Sequence, residues 1–174
     1  STPAVSQLLS IVATFMFLAI GGPIAAFMTW LNGLLAGIGG WCGYPDLSFQ
    51  AVIGAIFRPV MWLMGVPWEE SAVVGGLFGS KIVLNEFIAY SQLSSIINGQ
   101  VPGVALGPEA TLIATYALCG FANFSSIAIQ IGGIGGLAPE RRQDLARFGL
   151  RAVLGGSVAT FMTATIAGVL THFS

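Results

Sequence analysis

The chain has 174 residues, with 6 Lys or Arg against 7 Asp or Glu, so its formal net charge is −1 and only 7% of positions are charged. Hydrophobic residues make up 55%, Gly contributes 24 positions, and the mean hydropathy is +0.87. A soluble domain carries about 25% charged residues to keep its surface hydrated, so these numbers exclude a cytosolic enzyme, a disordered tail and the basic footprint of a nucleic-acid binder.

Lipid is the expected solvent, and the expected fold class is an all-α integral membrane protein: transmembrane helices with a re-entrant helical hairpin and a discontinuous helix. Residues 1–45 contain no charged side chain. Length allows roughly one domain, expected as a single membrane region over 1–174. The start at Ser1 suits a fragment or a processed product. No charged n-region precedes the first apolar run, so a signal peptide is a poor reading. Cys42 and Cys119 have no metal or CxxC spacing.

In chain order, Val5 to Ile38 predicts one tilted span (5–38), kinked where Pro23 of Gly21-Gly22-Pro23 removes a backbone donor. It ends in the Gly37–Gly43 stretch, with Trp41 and Tyr44 at headgroup level. The second span is expected over 47–66, since about 20 apolar residues cross ~30 Å of hydrocarbon. It carries Arg58 and Pro59 near its midpoint. A charge at that depth is expected to snorkel, or to pair with a neighbouring carboxylate or carbonyl, ahead of any direct transport role.

Residues 71–97 do not read as a plain span, because Lys81, Asn85 and Glu86 fall in the centre. Gly75, Gly76 and Gly79 precede them and let the backbone leave helical geometry. The expectation is a re-entrant hairpin with Lys81 to Glu86 near its tip, tolerated only against protein or water. Asn98 to Gly107 reads as a polar loop. Pro108 and Glu109 then open a helix, expected as a broken helix over 108–137. Its centre, Cys119-Gly120-Phe121-Ala122-Asn123-Phe124-Ser125-Ser126, suggests local unwinding. Gly132, Gly133, Gly135 and Gly136 beyond it would let helix backbones approach closely.

Four of the six basic residues lie in Glu140–Arg151. The positive-inside rule makes the loop 138–151 cytoplasmic, and the last span (152–170) leads to an extracytoplasmic C-terminus. The sequon Asn123-Phe124-Ser125 lies inside a span. Gly133-Ile134-Gly135 follows no strand, and Gly79-Ser80-Lys81 lacks the phosphate-loop order. His172 is the only His, so no metal cluster or nucleophile–base pair assembles. An enzyme is not expected, nor any metal or cofactor.

A pair of Gly- or Pro-broken hydrophobic stretches is the sequence pointer to a secondary-transporter site. Lys81 is read as structural, either in a buried pair with Glu86 that locks the hairpin or otherwise. Glu86 is read as substrate contact, because an intramembrane carboxylate is a functional-site hypothesis by default.

The same residues carry a resemblance. Gly79-Ser80-Lys81-Ile82-Val83-Leu84-Asn85-Glu86-Phe87-Ile88-Ala89-Tyr90 resembles the signature Gly-x-Lys-x-x-x-Asn-Glu-Phe-(Val/Ile)-Ala-Tyr of the concentrative nucleoside transporters. Leu118 to Ser126 resembles a second stretch of that family. Leu63 to Trp68 and Ala138 to Arg142 fit the order around them, so the resemblance covers nearly the whole chain. It implies the C-terminal part of a longer transporter whose N-terminal half, with a first hairpin, is missing here. It also implies a homotrimer in an inner or plasma membrane.

By resemblance, Glu86 and Asn123 contact ribose hydroxyls, Ser126 also contacts the sugar, and Phe121 lies against the nucleobase. Lys81, Asn85 and Cys119 support the hairpin and the unwound region. The implied partners are nucleosides and the lipid bilayer, with no nucleic acid. The implied activity is nucleoside import coupled to Na⁺ or H⁺, the cation's main site falling outside this segment. The alternative is a membrane-embedded structural or assembly fragment without transport activity of its own.

Overall fold

The computed structural model describes Gln7, residues 26–44 and residues 46–171. The upstream part of the first span, with its expected kink at Gly21-Gly22-Pro23, and His172 lie outside the described residues. The chain divides into two compact units, Ser1–Phe49 and Gln50–Ser174. In the first unit, helix α1 covers residues 26–42 and stops at Gly43, which has φ 85°. Tyr44 N donates to Gly39 O at 2.7 Å. Such a left-handed residue just past a helix end satisfies terminal carbonyls and suits glycine best. Trp41 and Tyr44 are exposed.

The second unit is built of helices: α2 (Phe49–Leu63), α3 (Trp68–Val83), α4 (Glu86–Ile97), α5 (Pro108–Leu118), α6 (Phe124–Leu137) and α7 (Arg142–Thr171), with a 3₁₀ turn at Pro139–Arg141 before the last. α2 is shorter than the expected 47–66 span. Its 15 residues rise only about 22 Å, and it bends by 119° into α3. Gly65, at φ 105°, and Pro67 make that corner. Arg58 finds the carbonyl partner the sequence called for: Nε and Nη2 donate to Trp68 O at 3.2 and 3.0 Å. Its guanidinium also sits 4.2 Å over the Trp68 ring.

The glycines of α3 act differently from expectation. Gly75, Gly76 and Gly79 stay helical and buried. A Cβ on Gly75 would lie 2.9 Å from Gly54 O, one on Gly76 would lie 3.0 Å from Gln50 O, and one on Gly79 would collide with Ile53. They let α2 lie close against α3, and the chain leaves helical geometry later, at Leu84–Asn85. The opposite correction holds for α6, where Gly132, Gly133 and Gly136 face open space and only Gly135 meets a neighbour, the Arg142 side chain.

The core of this unit joins α3, α4, α5 and α7 through Val74 and Phe78, Ala89, Ile113 and Leu118, and Ala164, none more than 1% exposed. Phe78 links Phe57 and Phe161 at ring distances of 5.1 and 4.6 Å. The charged stretch expected as a loop is helical from Arg142 onward. Arg and Asp do not break helices, and Arg141 pairs with Asp144 at 3.1 Å one turn apart. Among the described residues, Pro139–Thr171 alone is long and apolar enough to cross a membrane unbent. Its outer face exposes Leu154, Val158, Met162 and Ile166.

Candidate functional site

Two helix starts create the site. Asn85 is extended (φ −165°, ψ 171°) and its side chain accepts from Ile88 N at 3.0 Å, so α4 begins at Glu86. Asn123 repeats this geometry (φ −147°, ψ 166°), accepting from Ser126 N at 2.8 Å, so α6 begins at Phe124. An Asn in this position satisfies one of the orphan N–H groups of the first turn. The helical path is therefore interrupted at 84–85 and again at 119–123.

The two interruptions touch. Asn123 Nδ2 donates to Glu86 Oε2 at 2.8 Å, and Ser125 Oγ donates to Leu84 O at 2.9 Å. Two helix N-termini thus meet at one carboxylate. Each carries partial positive charge, which favours an anionic side chain there. A carboxylate accepting a single amide hydrogen retains acceptor capacity for a diol, through strong charge-assisted bonds.

The carbonyl end of α5 is closed as carefully. Cys119 N and Gly120 N donate to Tyr116 O and Leu118 O at 3.2 and 2.9 Å. Tyr90 OH donates to Thr115 O at 2.7 Å, and Lys81 Nζ donates to Ala117 O at 3.1 Å. Lys81 is fully buried and its ammonium lies 5.1 Å over the Phe78 ring. It donates to a backbone carbonyl and makes no direct ion pair with Glu86.

The remaining expected residues divide. Asn123 is only 2% exposed, whereas Phe121 is 76% exposed. Phe121, Ala122 and Ser126 line a cavity of about 510 Å³ with Leu145, Phe148 and Gly149 of α7; Glu86 and Asn123 do not line it. Cys119 is exposed and forms no disulfide among the described residues. Tyr90 and Ser125 join the site only in the structure, beyond the residues expected from the sequence. Tyr90 stands one helical turn after Glu86, at i+4, and that spacing was the available signal. Among the described residues, no three His, Cys, Asp or Glu side chains gather to hold a metal ion.

The chain is similar to known transporters. The family model described as Na⁺ dependent nucleoside transporter C-terminus matches residues 4–168. An uncharacterized transporter of Haemophilus influenzae is 45% identical over 156 residues, covering 87% of this chain and 37% of that protein. Sodium/nucleoside cotransporter 1 of Mus musculus is 39% identical over 154 residues, covering 83% of this chain and 24% of that protein. The structure of CNTnw in an inward-facing substrate-bound state superposes with a TM-score of 0.84 at 41% identity, covering 94% of this chain and 40% of CNTnw. The chain therefore spans well under half the length of these relatives. The all-helical fold and the membrane location expected from composition agree with these matches, and the chain belongs to the Na⁺-dependent nucleoside transporter family, of which it carries the C-terminal region.

Proposed function

We propose that this chain is the C-terminal part of an ion-coupled secondary active transporter that imports nucleosides. In this reading α3 and α4 form the re-entrant hairpin, α5 and α6 form the broken helix, and their interruptions lie near the bilayer midplane. The observation that carries the reading is the Asn123–Glu86 contact between two helix starts. A carboxylate held by one amide, with two helix N-termini behind it, is built to accept hydrogens from neighbouring sugar hydroxyls.

Glu86 is the principal ribose acceptor. Asn123 orients it, and the second hydrogen of Nδ2 donates to a hydroxyl oxygen. Ser126 adds a further sugar contact. Phe121, with its ring largely free, takes the nucleobase face, a contact that does not read the base edge. The relatives' names support a nucleoside substrate and Na⁺ coupling. The driving force is ample, since one cation falling through 100 mV yields about 2.3 kcal/mol.

The complete protein would supply the N-terminal half, the main cation site and the partner subunits of a homotrimer. Segment 138–151 faces the cytoplasm and the C-terminus faces outward, by the positive-inside rule. In the full-length transporter, Glu86→Gln should abolish labelled uridine uptake while the amount in the membrane stays unchanged. Normal uptake by that variant would remove Glu86 from the site.

A further inference from the structure

The last four carbonyls of an α-helix have no partner within the helix, and at the end of α5 each of them has found one. Tyr116 O and Leu118 O are taken by the chain's own turn. Thr115 O and Ala117 O are taken by side chains of the neighbouring hairpin, Tyr90 from α4 and Lys81 from α3. The lysine is the stronger of the two. A buried ammonium at a helix C-terminus meets the negative end of the dipole, and 0% exposure leaves it no water to prefer. Residue 117 is also only a few positions upstream of Phe121 and Asn123, with no helix between to absorb a displacement.

We infer that Lys81 and Tyr90 are positioning residues for nucleoside binding: they clamp the carbonyl end of α5 and thereby set where Phe121 and Asn123 stand relative to Glu86. The inference rests on the site reading given above. It gives separate tasks to the polar members of one sequence signature. Lys81 and Tyr90 hold the end of α5, while Asn85 and Glu86 build and charge the start of α4. Neither Lys81 nor Tyr90 touches substrate. Gly120 lies beside the Lys81 contact: a Cβ there would stand 2.7 Å from Thr160 Cγ2 of α7, while its 3.7 Å distance from Lys81 Nζ is an ordinary contact.

The test is a double-mutant cycle for uridine uptake by the full-length transporter, with KM and Vmax per inserted molecule measured separately. Lys81→Met keeps the length of the stem and removes the donor; it should raise KM about tenfold. Tyr90→Phe keeps the ring and removes one hydroxyl, so it folds even where Lys81→Met does not; it should raise KM about threefold. Both penalties should shrink below about twofold in an Asn123→Ala background, because coupled residues do not add. Full penalties persisting in that background, or an unchanged KM with fewer inserted molecules, would overturn the clamp and leave the site reading standing. Silence of Asn123→Ala on its own would instead sink the site reading, and the clamp with it.

Discussion

The two interruptions begin their following helices with the same chemistry and end their preceding helices differently. At 84–85 the gap between α3 and α4 is two residues, Leu84 is buried, and the first helical residue is the acid Glu86. At 119–123 the gap between α5 and α6 is five residues, no charge is present, and Phe121 stands out at 76% exposure. A short gap with its backbone engaged fixes a charge in place. A longer gap, tied at its ends by Lys81 and Asn123, leaves an aromatic ring free between the ties. For the nucleoside site proposed above, the difference would suit one wall held accurately toward sugar hydroxyls and another whose free aromatic ring accommodates bases of different shape.

Asn123 belongs to both walls, so its loss should have the largest effect after Glu86. Asn123→Ala removes the amide that orients Glu86 and donates to a hydroxyl. Hydrogen bonds involving a charged group contribute about 1.5–3 kcal/mol, which predicts roughly 10- to 100-fold weaker uridine binding, while loss of the α6 cap lowers stability by about 1 kcal/mol. A 3′-deoxy analogue, which offers one hydroxyl fewer, should lose less. Competition assays with both ligands check this, and equal losses would separate Asn123 from the ribose.

Phe121→Ala probes the adaptable wall alone. Stacking of a base on an aromatic face is worth about 1–3 kcal/mol, so affinity should fall about tenfold, alike for uridine, adenosine and their 3′-deoxy forms. A loss confined to one base class would mean that Phe121 reads base identity, and that the second wall is as exacting as the first.

How far these walls were legible in the sequence depends on what each residue can signal alone. Asn85 and Asn123, polar residues amid apolar runs, marked where the helices fail, and Pro108 marked where α5 starts, since a proline at the first position forgoes only an orphan donor. The glycines misled. In sequence Gly75, Gly76 and Gly79 suggest a point where the backbone leaves the helix, and in the fold they are a packing surface for Gly54, Gln50 and Ile53. Glycine permits both uses, and only the partner helix decides between them. The charge of the Glu140–Arg151 stretch suggests a loop, although charge reports which solvent a segment faces and not whether it is helical. The pairing of Glu86 with a residue 37 positions away has no local signal at all. Resemblance brought those two residues to one sugar, and coordinates brought them to one another.

The smallest expected effect is the most discriminating for the division between the walls. Ser125 Oγ donates to Leu84 O across the two interruptions, at the partly exposed side of the site. A neutral hydrogen bond of this kind contributes about 0.5–1.5 kcal/mol, and water reaches the vacated carbonyl more readily than it would in the core. Ser125→Ala should therefore weaken uptake only about threefold in KM. Since the bond ties backbone to side chain without touching substrate, the loss should be the same for uridine and for its 3′-deoxy analogue. A loss three or more times greater for uridine would make Ser125 a sugar ligand in its own right, beside Asn123 and Ser126, and would leave Phe121 as the one base contact of the second interruption.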